Sequence, residues 1–360
     1  MNAPWTVILL GSIVCLPFIA AHRAIAQESP IDPPPPVSIG GFVDTYFSWN
    51  FARPQSQTNQ LRNFDLSENQ FVVSAAEVDF QKTATPIGFR IEASVGLSPD
   101  IIHSGSSDGL KFAQQAYLTA VLPVGAGLTL EAGKFVTQMG YETIKAKDNY
   151  NYSRSFLFAW AIPYYHLGVR ASYPLLDNLT IAAHLTNGWN NTPSTGGKTY
   201  CAAVTFAPSA ALTLVANWIG GPWQPDSIDA HLRHVAECMA TFLATDRWTL
   251  GVDGVYGTEA NVAGTMTWKG LALYGRYALA TDSFLSVRAE VYDDPQGYTT
   301  ARPQSLREVT LTYEYRFPVN LLARAEYRYD WSTATPFDGA TVPGSRSTQS
   351  TLGIACIVMF

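Results

Sequence analysis

Beyond its N-terminal segment the chain holds no apolar run approaching the roughly 18 residues that a membrane-crossing helix needs. Any crossing of a bilayer then falls to strands, which cross only as a closed barrel with every backbone group paired. Charge is scarce too: Asp, Glu, Lys and Arg make up 14% of the sequence, and the formal net charge is -6. That sparse, acidic balance argues against a nucleic-acid partner and against short helical bundles. Cysteine occurs only at positions 15, 201, 238 and 356, with no pair close enough for a zinc or redox motif. If Cys15 leaves with a leader, an odd three remain, which argues against a disulfide framework. The thiols are expected as small apolar side chains in strands, with one disulfide left open. No cofactor or metal is implied.

What is present begins with a leader. The apolar run Trp5 to Ala21 is followed by Ala24-Ile25-Ala26, the small-x-small pattern of a signal-peptidase cut, so residues 1–26 read as a signal peptide and the mature chain starts near Gln27. His22 and Arg23 follow the run instead of preceding it, which keeps an uncleaved anchor as the alternative. Loss of Arg23 leaves 22 basic against 29 acidic residues, a net charge of -7. Residues 27–37 contain Pro30 and Pro33 through Pro36 and read as an extended periplasmic tether. The folded domain is expected over 38–360.

Within it, aromatics reach 12% and the apolar residues recur with period two. Phe89, Ile91, Ala93, Val95 and Leu97 alternate with Arg90, Glu92, Ser94 and Gly96, and Leu352, Ile354, Cys356, Val358 and Phe360 with Thr351, Gly353 and Ala355. Short turns at 123–127, 175–178, 208–211, 245–247 and 318–320 alternate with longer polar stretches at 52–65, 98–109, 138–162, 190–197, 220–230, 294–303 and 333–347. Outer-membrane barrels show this alternation, with turns in the periplasm and loops outside. Trp49, Phe51, Trp160, Tyr164, Trp189, Trp218, Trp248 and Trp331 lie near expected strand ends, as in an interfacial aromatic girdle. The terminal Phe360 matches the ending that the barrel-assembly machinery recognises, so that machinery and outer-membrane lipid are expected partners.

The fold predicted is all-β, an antiparallel up-and-down transmembrane barrel of sixteen strands, with fourteen or twelve as alternatives. Sixteen strands enclose an aqueous channel, whereas about eight would be filled by their own side chains.

Gly41-Phe42-Val43-Asp44-Thr45-Tyr46-Phe47 opens the barrel. Tyr150-Asn151-Tyr152-Ser153-Arg154-Ser155, His166-Leu167-Gly168-Val169-Arg170, Asn187-Gly188-Trp189-Asn190, Arg288-Ala289-Glu290, Asp293-Asp294-Pro295-Gln296-Gly297 and Glu326-Tyr327-Arg328-Tyr329-Asp330-Trp331-Ser332 follow in order. With these fragments the chain, over 38–360, resembles the OmpL-like outer-membrane β-barrel porins. The resemblance implies a porin and supplies no site residues.

Other motifs have plainer readings. Gly105-Ser106-Ser107-Asp108-Gly109 spells G-x-S-x-G, but a nucleophile elbow needs a following helix, and Leu110 onward reads as strand. His231 and His234 have helical spacing in a strand context, and Asp293-Asp294 lacks the ligands of a calcium loop. More informative are charges at alternate strand positions: Glu77, Asp79, Arg90, Glu92, Glu131, Arg170, Arg276, Arg288, Glu290, Glu308, Glu314, Arg316, Arg324, Glu326, Arg328 and Asp330. A lipid-facing Arg near the bilayer midplane costs about 2–4 kcal/mol, so these belong on a wet inner wall, lining a pore or pairing across strands.

The function expected is a water-filled channel in the Gram-negative outer membrane for passive diffusion of small hydrophilic solutes. The alternatives are an outer-membrane β-barrel enzyme and a soluble secreted β-sandwich binding module. No serine, histidine and acid constellation supports the enzyme, and a sandwich would leave its apolar faces exposed. The 138–162 loop is expected to fold inward or pack over the mouth and narrow the pore. Acidic residues on strands two to five and arginines on strands thirteen to fifteen predict a transverse field with at most weak cation selectivity. Both monomer and homo-oligomer are compatible with the pattern, and the solute is not specified.

Overall fold

The period-two pattern is realised as a single closed sheet. The computed structural model describes residues 37–104, 109–190, 197–222, 231–261 and 263–360. The leader, nearly all of the tether and residues 105–108 of the G-x-S-x-G match lie outside them. The strands are β1 (Ser38–Asn50), β2 (Phe71–Lys82), β3 (Ile87–Val95), β4 (Ala113–Leu122), β5 (Leu128–Val136), β6 (Tyr165–Leu176), β7 (Leu179–Thr186) and β8 (Thr199–Ser209). They continue as β9 (Leu212–Pro222), β10 (Leu232–Leu243), β11 (Trp248–Asn261), β12 (Gly264–Ala278), β13 (Ser283–Asp294), β14 (Gln304–Phe317), β15 (Leu321–Ser332) and β16 (Thr348–Met359). Each pairs antiparallel with its chain neighbours, and β16 pairs with β1 from Phe42↔Met359 to Asn50↔Thr351. Closure removes the unpaired edge that lipid could not solvate. The seam ends where Gly41 and Phe360 exchange backbone hydrogen bonds of 3.1 Å. A Cβ on Gly41 would lie 2.3 Å from the Glu77 backbone oxygen and 2.4 Å from Phe360 Cζ, so the close approach of β2's backbone favours glycine here.

The strand number is the one expected, and the boundaries shift by a few residues. The largest shift is at β2: the polar stretch expected over 52–65 runs on, and the strand starts only at Phe71. Ser67 instead bridges Thr58 inside the preceding loop, and its amide donates to the Tyr46 hydroxyl. Among the described residues no helix is long and apolar enough to cross a membrane. Ile91, Val95, Leu118, Val169, Leu273 and Ile354 form part of an exposed apolar belt on the outer face. Lys134 sits opposite Leu167 and is covered by the segment after α1 (Leu97–Ile102), its Nζ 2.9 Å from the Leu110 carbonyl and 3.4 Å from His103 Nδ1. Burial and that ammonium push His103 down to about 4, so its ring is neutral.

The girdle expected from the sequence needs correction at three positions. Trp218 and Trp248 are exposed on the outer wall, but Tyr164 and Trp189 are buried and Trp160 packs against the same internal cluster. They belong to, or pack beside, a segment that enters the barrel. The cysteines at 201, 238 and 356 are free, Cys201 buried and the other two exposed in strands.

Candidate functional site

Between β5 and β6 the chain does not stay at the rim. Residues 137–164 turn into the lumen through a 3-10 turn (Ala146–Asp148) and a short π-helix (Leu157–Ala161). The segment is polar in its first half and apolar in its second, and each half finds a different part of the wall.

The polar half is held by charge. Lys145 Nζ lies 2.6 Å from both Glu77 on β2 and Glu92 on β3. Burial opposes its charged form, but the two carboxylates outweigh that cost and hold the ammonium above the ordinary lysine pKa. Glu326 accepts the backbone amides of Tyr152 and Ser153 at 2.5 and 2.9 Å, and Glu290 those of Phe156 and Leu157 at 2.7 and 2.6 Å. The loop's carbonyls are met by arginines. Arg288 donates to Ser153 O at 2.7 Å, Arg324 to Ala146 O at 2.6 Å and to Asn149 O, and Arg328 to Arg154 O at 2.5 Å. The Tyr152 hydroxyl donates to Asp44 on β1 at 3.0 Å. A segment without regular secondary structure must find partners for its buried amides and carbonyls, and here the wall's charges supply them.

The apolar half builds a hydrophobic core inside the barrel. Phe156, Leu157, Phe158, Ala161 and Ile162, joined by Met139 from the start of the segment, cluster with Val215, Ile219, Val235, Met239, Val255, Trp268 and Tyr292. The Trp268 indole donates to Ala161 O at 3.1 Å. Two inward glycines make the fit: a Cβ on Gly270 would come 2.5 Å from Leu157 Cδ1, and one on Gly251 2.2 Å from the Tyr141 hydroxyl oxygen.

All sixteen charged residues expected on the inner wall lie in the strands, but they differ in what reaches them. The side chains of Arg288, Arg324 and Arg328 are at most 1% exposed. Arg288 also pairs with Glu308 and Glu142, and Arg328 with Asp330. Arg170 pairs with Glu131, and Glu314 gathers Arg276, Arg316 and Arg324. Side-chain exposure is 21% for Asp79, 28% for Arg90 and 35% for Arg316, which makes these three the accessible charges of the group near the short-turn end. A buried guanidinium with several acceptors fixes its neighbours in place, and removing one partner of such a set is strongly destabilising.

Sequence reading did not single out Asp44, Glu142, Lys145, Glu237 or Asp253. Asp44 and Glu237 stand at alternating positions and were open to the same test, but β10 carries Val235 and Met239 on its inner face, so apolar residues occur on both faces there. The two other motifs resolve structurally. His234 stacks on Trp218 with ring centroids 5.8 Å apart, and Asp294 accepts the amides of Tyr298, Thr299 and Thr300 within 2.9 Å.

Solved structures share this architecture at low sequence identity. The anion-selective porin from Comamonas acidovorans is 11% identical, with a TM-score of 0.65 over 90% of this chain and 99% of that one. OmpT of Vibrio cholerae, in its trimer form, is 14% identical, with a TM-score of 0.60 over 90% and 99%. OmpF of Salmonella typhi, in complex with daunomycin, is 12% identical, with a TM-score of 0.59 over 90% and 97%. No curated protein matches the sequence. The family described as "Putative beta-barrel porin-2, OmpL-like" matches residues 36–360. A sixteen-strand barrel with its third long connection folded into the lumen, matched by that family over the whole described barrel, belongs to the OmpL-like β-barrel porins of the outer membrane.

Proposed function

We propose that the protein is a passive channel for small hydrophilic solutes whose passage is set by the 138–162 segment and not by the wall charges alone. The observation that carries this reading is the inward loop itself, held to β13, β14 and β15 by hydrogen bonds to Glu290, Thr312 and Glu326 and from Arg288, Arg324 and Arg328. Solutes meet the accessible Asp79, Arg90 and Arg316, while the more deeply buried charges work as anchors. A leader over 1–26 and delivery by the barrel-assembly machinery belong to the same reading.

Catalysis is not part of it. The last residue of the G-x-S-x-G match, Gly109, opens a 3-10 turn that leads into strand β4, which is not the strand-turn-helix setting of a nucleophile elbow. Single-channel recording of purified protein in planar bilayers tests the proposal. Shortening residues 138–162 is expected to raise conductance with the barrel intact, and an unchanged conductance in a folded variant overturns the constricting role.

A further inference from the structure

The outer wall carries almost no charge. Among the described strand residues on that face, formal charge stands only at Lys82 where β2 ends, at Lys134 under its covering segment, and at Lys269, Asp293 and Arg307 near the loop end of β12–β14. Lys269 is opposite Asp293 in register, and Arg307 lies between Val291 and Trp331. Lys269 and Arg307 are exposed, and among the described residues neither forms an ion pair. A cation facing hydrocarbon is unfavourable, and the penalty fades toward the interface, where a long side chain reaches the headgroups. Beside Arg307 lies a groove of about 590 Å³ lined by Val309, Tyr329, Trp331, Ser332, Ser347 and Thr348. Its two ends differ. Toward the loops stand Trp331 and the Ser347 and Thr348 hydroxyls, and toward the bilayer midplane stand Val309 and Tyr329, the latter's ring 5.7 Å from that of Trp331.

We propose that this groove seats one phosphate-bearing lipid of the outer leaflet, with its phosphate on Arg307 and an acyl chain along Val309 and Tyr329. Two features favour a lipid over a second copy of the chain. The groove runs from polar to apolar along the strands, as an amphiphile does, and the charge that flanks it is a guanidinium, whose planar fork matches a phosphate. Trp331 and Tyr329 suit the same level, where an apolar ring body and a polar tip are both satisfied. Lys269 is two strands and two residues from Arg307, about 12 Å between Cα atoms by strand spacing. It adds attraction at the same rim, and Asp293 between the two cations subtracts from it. Nothing in this seat depends on what the pore passes.

The test is native mass spectrometry of the purified full chain taken from mixed vesicles of phosphatidylcholine and phosphatidylglycerol. One phosphatidylglycerol is expected to stay on each chain after phosphatidylcholine has been stripped. A basic residue near an anionic headgroup is worth about fivefold in binding, so R307Q should lower retention by about that factor. D293N should raise it. K82Q removes the exposed cation at the short-turn end and should change nothing. Inorganic phosphate added in excess should leave the lipid in place, because it has no chain for the groove. These side chains lie outside the lumen, so heat-modifiable mobility and conductance should stay at wild-type values, which keeps a failure here distinct from a failure of the channel reading. Equal retention of the two lipids overturns the seat, as does wild-type retention by R307Q or a loss in K82Q that matches it. Displacement by inorganic phosphate, or a lipid-free dimer that R307Q leaves unchanged, would overturn the lipid as occupant.

Discussion

The inner wall of this barrel has two unlike arcs. On β13–β15 the inward positions carry Arg288, Glu290, Glu308, Glu314, Arg316, Arg324, Glu326, Arg328 and Asp330, nearly all buried and nearly all engaged with one another or with the loop. On β7 and β8 they carry Thr180, Ala182, His184, Thr186, Thr199, Cys201, Ala203 and Thr205, with no formal charge, and the residues toward the turns are partly exposed. The difference separates holding from passage. Charges inside a barrel suggest a selectivity filter, yet the densest charge here is spent on positioning a loop. The water-facing arc is small, hydroxylated and almost neutral.

The largest effect should come from breaking the charged arc. R324A/R328A removes the donors to Ala146 O, Asn149 O and Arg154 O and leaves Glu314 and Asp330 short of partners. Each broken buried pair costs about 3–5 kcal/mol. The variant should lose its heat-modifiable gel mobility at a clearly lower temperature and show raised, noisier conductance. Were these arginines ordinary pore-lining charges, the change would be confined to ion selectivity, with thermal stability kept.

A milder break leaves every ion pair in place. Gly270→Val puts side-chain atoms where Leu157 Cδ1 now lies, 2.5 Å from an ideal Cβ. Overpacking of this kind costs about 1–3 kcal/mol, so a smaller rise in conductance is expected than for R324A/R328A. The outward Gly275→Ala, whose Cβ would meet Val287 at 3.3 Å, serves as the control and should leave conductance unchanged. Equal behaviour of the two variants would show that the Leu157 contact does not hold the loop.

The two arcs were unequally legible in the sequence. Strand β3 and strand β16 announce themselves because lipid demands apolar residues on one face and the interior tolerates Arg90, Glu92 or Thr351 on the other. The charged residues of β13–β15 were found in the same way. What they touch was not, because Arg288 reaches Glu142 across 146 positions and Arg324 reaches Ala146 across 178. On β9–β11 the code fails for a different reason. Val215, Val235, Met239 and Val255 face inward because the loop's apolar half covers them, so both faces are apolar and alternation carries less information. The clue available was the loop's own composition: Phe156-Leu157-Phe158-Ala159-Trp160-Ala161-Ile162 is too apolar for a solvated extracellular connection.

The smallest effect, and the sharpest on the comparison, is expected on the neutral arc. Thr205 on β8 is partly exposed, and its backbone pairs with Thr180 and Val215. Replacing its side chain removes no ion pair and touches no loop residue among the contacts described, so Thr205→Glu and Thr205→Lys should leave thermal stability and mean conductance near wild type. Their reversal potentials in a salt gradient should nevertheless move in opposite directions, toward cations for Glu and toward anions for Lys, with Thr205→Gln unshifted. A single fixed charge acts over about 10 Å at 0.1 M salt and about 3 Å at 1 M, so both shifts should shrink as salt is raised. If passage runs beside this arc, one added charge here changes selectivity more than R324A/R328A does, although that variant removes two. If the Glu and Lys variants give the same reversal potential at low salt, ions do not pass β8, and the division of the wall into an anchoring arc and a conducting arc is wrong.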